Sequence, residues 1–268
     1  MPIRPIDRAL MALALCALSA SAVAAEPVRK FDGVVTLGVQ RGPEYLGARD
    51  HGLSVRPGIY LRWGRISVSS GAGWAARRQR DEVVGLGIDL ASTDTFDLTL
   101  GLRADSGRNE TDSDALKGMG DVRRTIRARI GATWRFAPDW ELGAAWTIDA
   151  FGRGGGNLGE VRLKHEWPLT ARLRLSSGAA VFIGGDRYLQ TYFGVTPEQS
   201  ARSGYPVYTP ELGLRDVQLY TSLKYELNDE WVFSAGPGYG RVVGPAARSP
   251  LTQRPSAWSL SGGVGYRF

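Results

Sequence analysis

Side chains able to do acid–base or nucleophilic chemistry are scarce in this 268-residue chain, which holds two histidines, His51 and His165, and one cysteine, Cys16. A hydrolase of the serine or cysteine type needs a histidine within reach of its nucleophile, steered in turn by a carboxylate. Asp50-His51 is the one candidate. Residues adjacent in sequence seldom make a working dyad, and His165 falls on an apolar face. A single cysteine allows neither an intramolecular disulfide nor a Cys-rich zinc site. Gly154-Gly155-Gly156 lies in a hairpin, not between a strand and a helix, so it is no phosphate loop. The expectation is therefore no catalytic residue, no metal and no cofactor.

Charged side chains are plentiful, 33 basic against 27 acidic, for a net charge of +6. Their placement follows an alternation described below. On one face fall Arg56, Arg62, Arg65, Arg103, Arg123, Arg127, Arg129, Arg135, Arg162, Lys164, Arg172, Arg174 and Lys224. The acids of that face are fewer: Asp89, Asp97, Glu141, Asp149, Glu160, Glu166 and Glu226. A basic excess turned inward does not point to nucleic acid.

The elements that must hold these charges are strands. From Val122 to Phe136 even positions are apolar, apart from Arg124, and odd positions are polar. A period of two marks a strand, whereas at helical spacing the arginines would surround a cylinder. The pattern recurs in twelve segments: about 32–41, 52–63, 65–74, 83–91, 95–104, 121–136, 139–151, 158–167, 170–184, 215–227, 231–243 and 256–268. Every second connection is tight, as at Trp63-Gly64-Arg65, Ala137-Pro138-Asp139 and Asn228-Asp229-Glu230. The others are longer, the longest being 185–214. An even number of strands with short turns at one end and long loops at the other is the layout of an outer-membrane barrel. A β-sandwich also has alternating strands. Its core would spread the aromatics in depth, but here Trp63, Trp134, Phe136, Trp140, Trp167, Tyr225, Trp231, Tyr266 and Phe268 gather beside the short turns. That is a membrane-interface girdle. The fold expected is all-β, a twelve-stranded antiparallel transmembrane barrel. Its charged lumen reads either as a plug of mutually paired charges or as an anion-selective pore. A twelve-strand barrel lies between filled and open ones in width, which favours the plug.

Both ends carry transport signals. Arg4 and Arg8 precede the apolar run Ala9 to Leu18, and Ala22-Val23-Ala24 fits a cleavage box. Residues 1–25 read as a signal peptide cut after Ala24 or Ala25, leaving 26–268 as the barrel. Its removal takes away two arginines and Asp7 and leaves a net charge of +5. At the other end Trp258, Leu260, Val264, Tyr266 and Phe268 share one face. Such a last strand, ending in Phe, is the insertion signal read by the barrel-assembly machinery of Gram-negative bacteria.

Tyr188 to Pro206, YLQTYFGVTPEQSARSGYP, resembles the hallmark loop of the MipA/OmpV family of MltA-interacting outer-membrane proteins. Its central run is Tyr192, Phe193, Gly194, Val195, Thr196 and Pro197. Further matches are Pro43 to Gly47, Leu116 to Val122, Gly213 to Val217 and Gly238 to Gly244. Pro245-Ala246-Ala247-Arg248 departs from the pattern, which has Asp after the glycine. The resemblance implies a non-enzymatic scaffold in outer-membrane lipid, joining a murein lytic transglycosylase to a murein synthase. It also admits a porin-like diffusion channel or a surface adhesin. Murein enzymes lie on the periplasmic side, so a scaffold would meet them at the short turns or at the stretch from Ala25 to Asp32, with Arg29 and Lys30. Thr196-Pro197 reads as the start of a short helix in the long loop, Thr as cap and Pro at the first position. That loop is expected to fold over the barrel mouth.

Overall fold

A computed structural model describes residues 31–70 and 85–268. The signal-peptide expectation, the pair Arg29-Lys30 and the segment 71–84 lie outside the described residues. Twelve strands run in chain order: β1 (Asp32–Pro43), β2 (His51–Trp63), β3 (Ile66–Ser70), β4 (Gly85–Ser92), β5 (Phe96–Asp105), β6 (Thr125–Ala137), β7 (Trp140–Asp149), β8 (Asn157–Pro168), β9 (Leu173–Gly184), β10 (Gly213–Glu226), β11 (Trp231–Val242) and β12 (Ser256–Arg267). Each pairs antiparallel with its neighbours in sequence, and β1 pairs with β12, so the sheet closes on itself.

Alternation decides which side chains meet lipid. Along β1, Val35, Leu37 and Val39 are exposed and Val34 is buried. Along β2, Leu53, Val55 and Trp63 are exposed while Tyr60 and Arg62 are buried. The apolar side chains face outward because a bilayer surrounds the sheet, and closure leaves no backbone edge for lipid to meet. Near the short turns the buried Val34, Tyr60 and Val232 pack together inside the bore. The seam has its own fit. Gly33 and Phe268 exchange backbone hydrogen bonds of 3.3 and 2.9 Å. A Cβ on Gly33 would lie 2.5 Å from the Phe268 ring, so the last side chain lies flat only over a glycine. At the β6–β7 turn Asp139 takes a positive φ of 62° after Pro138, a conformation that Asp tolerates better than most residues.

Several boundaries differ from those expected. β6 starts at Thr125, because Val122 turns back to bridge Arg108 and holds Arg123 and Arg124 outside the strand. Arg123, Arg65 and Arg172 are thus exposed at strand ends, not part of the inner wall. β2 opens at His51, one residue before the expected start at 52. The bore is also uneven. β11, β12, β1 and β2 face it mainly with glycine and serine, such as Gly38, Gly236, Gly238, Ser261 and Gly263, while β5 to β10 supply most of its charge.

Tyr60→Ala should empty part of the apolar cluster inside the bore and cost about 3 kcal/mol, as for large-to-small changes in a packed core. Urea unfolding in lipid vesicles, followed by tryptophan fluorescence, measures this.

Candidate functional site

Two regions concentrate polar side chains, the bore and the loop that covers its outer end. In the bore, arginine and lysine meet carboxylates from neighbouring strands. Arg62 pairs with Asp89, Arg127 with Asp105, Arg135 with Asp97 and Arg162 with Glu160. Arg129 lies 3.6 Å from Glu160, Lys164 lies 3.3 Å from Glu141, and Arg267 lies 3.0 Å from Glu226. Such pairs satisfy ions that the narrow bore strips of part of their water. Arg56 and Arg103, also turned inward, have no ion-pair partner among the described residues and stay exposed. A small hollow between β5 and β8, lined by Asp97, Thr99, Arg129, Gly131, Glu160 and Arg162, exists because Gly131 and Gly143 carry no side chain.

The loop from β9 to β10 folds onto the outer mouth. Gly185 allows the chain to turn inward: its N–H donates to the Asn157 carbonyl, and a Cβ there would lie 1.7 Å from the Asn157 side chain. Helix α1 (Asp186–Phe193) follows. It buries Tyr188, Leu189 and Phe193 against Val242 and Ala246, with Leu46 and Leu158 beside them. Polar bonds fix its inner face to the wall. Tyr192 Oη donates to Asp105 at 3.3 Å, and Arg108 Nη1 donates to the Tyr192 carbonyl at 2.9 Å. Arg215 Nη1 donates to Tyr188 Oη at 2.6 Å, its guanidinium 4.7 Å from the centre of the Phe182 ring. Burial pushes the Tyr192 phenol above its ordinary pKa, as suits a hydroxyl that donates. Burial likewise pushes Tyr45 up to about 12, and its hydroxyl donates to the Leu251 carbonyl at 2.9 Å.

The motif run continues outward. Gly194 ends α1, its N–H donating to the carbonyls of Gln190 and Leu189. Val195 is buried and bridges Tyr208. Thr196 then caps helix α2 (Pro197–Ser203), accepting from the Gln199 N–H, with Pro197 in its first turn. That short helix is the one expected from sequence. Gln199 Nε2 donates to the Met119 carbonyl at 2.7 Å, so the stretch 116–122 and the TPEQ run are packed on each other. Ser249 Oγ donates to the Phe193 carbonyl at 2.6 Å. The departing segment 245–248 carries helix α3 (Gly244–Ala247), with Ala246 under α1. The loop therefore covers the mouth, as expected.

Two features of the site escaped the alternation. One is α1 itself, signalled only by tyrosines and leucine at helical spacing. The other is Arg215-Asp216, where a bulge turns two consecutive side chains inward and both are buried. Adjacent charges inside an otherwise alternating strand are the signal for such a bulge. Of the pair Asp50-His51, the His51 ring lies 3.2 Å from the Trp258 backbone carbonyl. His165 faces outward between Trp140 and Trp167, its ring 4.4 and 4.1 Å from theirs. The residues of the C-terminal pattern, Trp258, Leu260, Val264, Tyr266 and Phe268, share the outward face of the seam strand and its end.

A closed antiparallel barrel, apolar outside and charged within, with short turns at one end and a folded loop across the other, is an outer-membrane β-barrel. A family model described as MltA-interacting protein MipA matches residues 35–268. The chain belongs to that family. It is 26% identical over 162 residues to YiaT of Escherichia coli (strain K12), whose name places it in the outer membrane; the match covers 59% of this chain and 64% of YiaT. The chain thus spans just under two thirds of that relative's length. Among solved structures, the NanC porin superposes with a TM-score of 0.47 at 10% identity, covering 86% of this chain and 98% of the porin. The translocator domain of the autotransporter NalP from Neisseria meningitidis gives 0.42 at 14%, covering 98% and 94%.

Tyr192→Phe removes the hydroxyl that joins α1 to Asp105 and should loosen the cover by about 1 kcal/mol. Hydrogen exchange should then quicken at the amides of α1 and remain unchanged in β6 and β7.

Proposed function

We propose that this protein is a non-enzymatic scaffold of the outer membrane that holds a murein lytic transglycosylase, and through it a murein synthase, at the inner face of that membrane. The observation that carries the reading is membership of a family described as MltA-interacting over residues 35–268. The covered mouth agrees with it, since a barrel tied across its outer end is suited less to traffic than to anchorage. The face turned to murein is then the rim of short turns. At Asn228-Asp229-Glu230 the Asn228 side chain accepts from the N–H groups of Glu230 and Trp231 at 3.2 and 2.7 Å and leaves Asp229 and Glu230 exposed. Export by a signal peptide cut after Ala24 or Ala25, and insertion by the barrel-assembly machinery reading β12 and Phe268, complete the proposal.

A second reading, passage of small solutes, draws on one observation. Ser261 faces the bore and is nevertheless exposed, so water reaches the glycine-lined wall. Steady conductance in planar bilayers that admits sugars favours the channel, whereas a barrel that stays closed leaves the scaffold.

Charge reversal at Asp229 and Glu230 should weaken capture of murein enzymes in pull-downs from solubilised outer membranes, because exposed charged turns steer association. Deleting the loop tip 196–208 should leave capture intact. The opposite pattern, with the barrel folded in both variants, overturns the scaffold. Removing Phe268 should lower the fraction of assembled, heat-modifiable barrel, and N-terminal sequencing of the membrane form should begin at Ala25 or Glu26.

A further inference from the structure

The lipid-facing side of the barrel is almost free of charge. Among the described residues, the outward positions of the twelve strands carry two formally charged side chains, Arg41 on β1 and Arg241 on β11. Both are exposed, and neither has an ion-pair partner among the described residues. They belong to the two strands that flank β12. Arg41 is registered with Leu260 and Arg241 with Ser256, so Trp258 lies two residues from each partner, on the diagonal of both arginines. Diagonal neighbours are about 7–8 Å apart, within reach of long side chains. Trp258 is 66% exposed and its ring packs against Tyr239 at 4.9 Å.

The patch sits at the long-loop end. Arg41 lies just before the 44–50 loop and Arg241 just before the 243–255 loop, and Arg254 N–H donates to the Gly47 carbonyl where the two loops meet. In a barrel whose short turns are periplasmic, this end stands in the outer leaflet. An arginine at a strand end can simply reach past the acyl chains into water. That accounts for any one of them. It does not explain why, among the described outward positions within the strands, the two charged side chains are arginines that bracket one exposed tryptophan. A phosphate oxygen pair matches a guanidinium fork, an aromatic pair sits well at the boundary between acyl chains and headgroup, and two separated cations match two phosphates.

We propose that Arg41, Arg241 and Trp258 form a binding site on the outer wall for a bis-phosphorylated, acylated saccharide, the glycolipid of the outer leaflet. The acyl chains lie along the apolar face below, one phosphate meets each arginine, and Trp258 lies under the sugar between them. The inference stands apart from the scaffold reading, since it uses the opposite rim.

The test uses full-length protein in detergent micelles, with lipid A carrying two phosphates, enzymatically dephosphorylated lipid A and phosphatidylglycerol as probes, and native mass spectrometry as readout. The wild type should retain bis-phosphorylated lipid A in preference to both others. The double variant Arg41→Ala/Arg241→Ala should bind it about tenfold more weakly. Arg65→Ala/Arg172→Ala, at the other rim, should bind as the wild type does. Heat-modifiable migration on gels verifies that each barrel is folded; if the double variant fails this, Arg41→Gln and Arg241→Gln tested singly replace it. Equal retention of the dephosphorylated lipid or of phosphatidylglycerol by the wild type overturns the proposal. So does an unchanged affinity in the folded arginine variants.

Discussion

Lipid offers no hydrogen bonds, and most of this architecture answers that fact. Each strand must give its backbone groups to a neighbour, and the first strand finds its second neighbour only in the last. Once the sheet is closed, every side chain has one of two fates, lipid or bore. Valine, leucine and tryptophan take the first. Glycine, serine and nearly all of the charge take the second. The bore is polar because the wall outside cannot be.

That confinement creates a second problem, which the ion pairs answer. Cations and carboxylates brought into a narrow space lose part of their hydration, and cross-strand pairing makes up the loss. Glu160 serves both Arg129 and Arg162, and Glu226 serves both Lys224 and Arg267. The Arg215-Asp216 bulge belongs to the same economy, because strict alternation would send one of the two into lipid. At the mouth the wall charges do a further task. Arg127, Asp105, Arg108 and Arg215 hold the tyrosines of α1, so the cover is continuous with the lining.

The fold was legible in the sequence because a period of two is enforced along nearly the whole chain. Wherever lipid dictates the outward residue, as from Ile126 to Trp134, the pattern is clean. It weakens where lipid no longer has a say. Val122 and Arg123 continue the alternation and yet lie outside β6, since Val122 pairs with Arg108 in a loop contact. The α2 cap was legible because Thr-Pro-Glu-Gln is local chemistry. The path of α1 into the mouth was not, because it depends on Gly185 and on contacts to residues remote in sequence, such as Val242 and Ala246. Of the charged face, the acids were all placed correctly. Arg65, Arg123 and Arg172 were not, because alternation cannot tell the last residue of a strand from the first of a turn.

The Gly33–Phe268 seam also has a temporal side. The partners that complete the cylinder come from opposite ends of the described chain, so the first strand must wait for the last one before it acquires a full set of partners. Bringing such distant segments together carries the largest loop-closure cost in the molecule and tends to make assembly slow. Until then two raw sheet edges exist, both able to recruit a strand from another chain. A barrel whose β1 is completed only by β12 therefore closes as the last step of its folding, not the first.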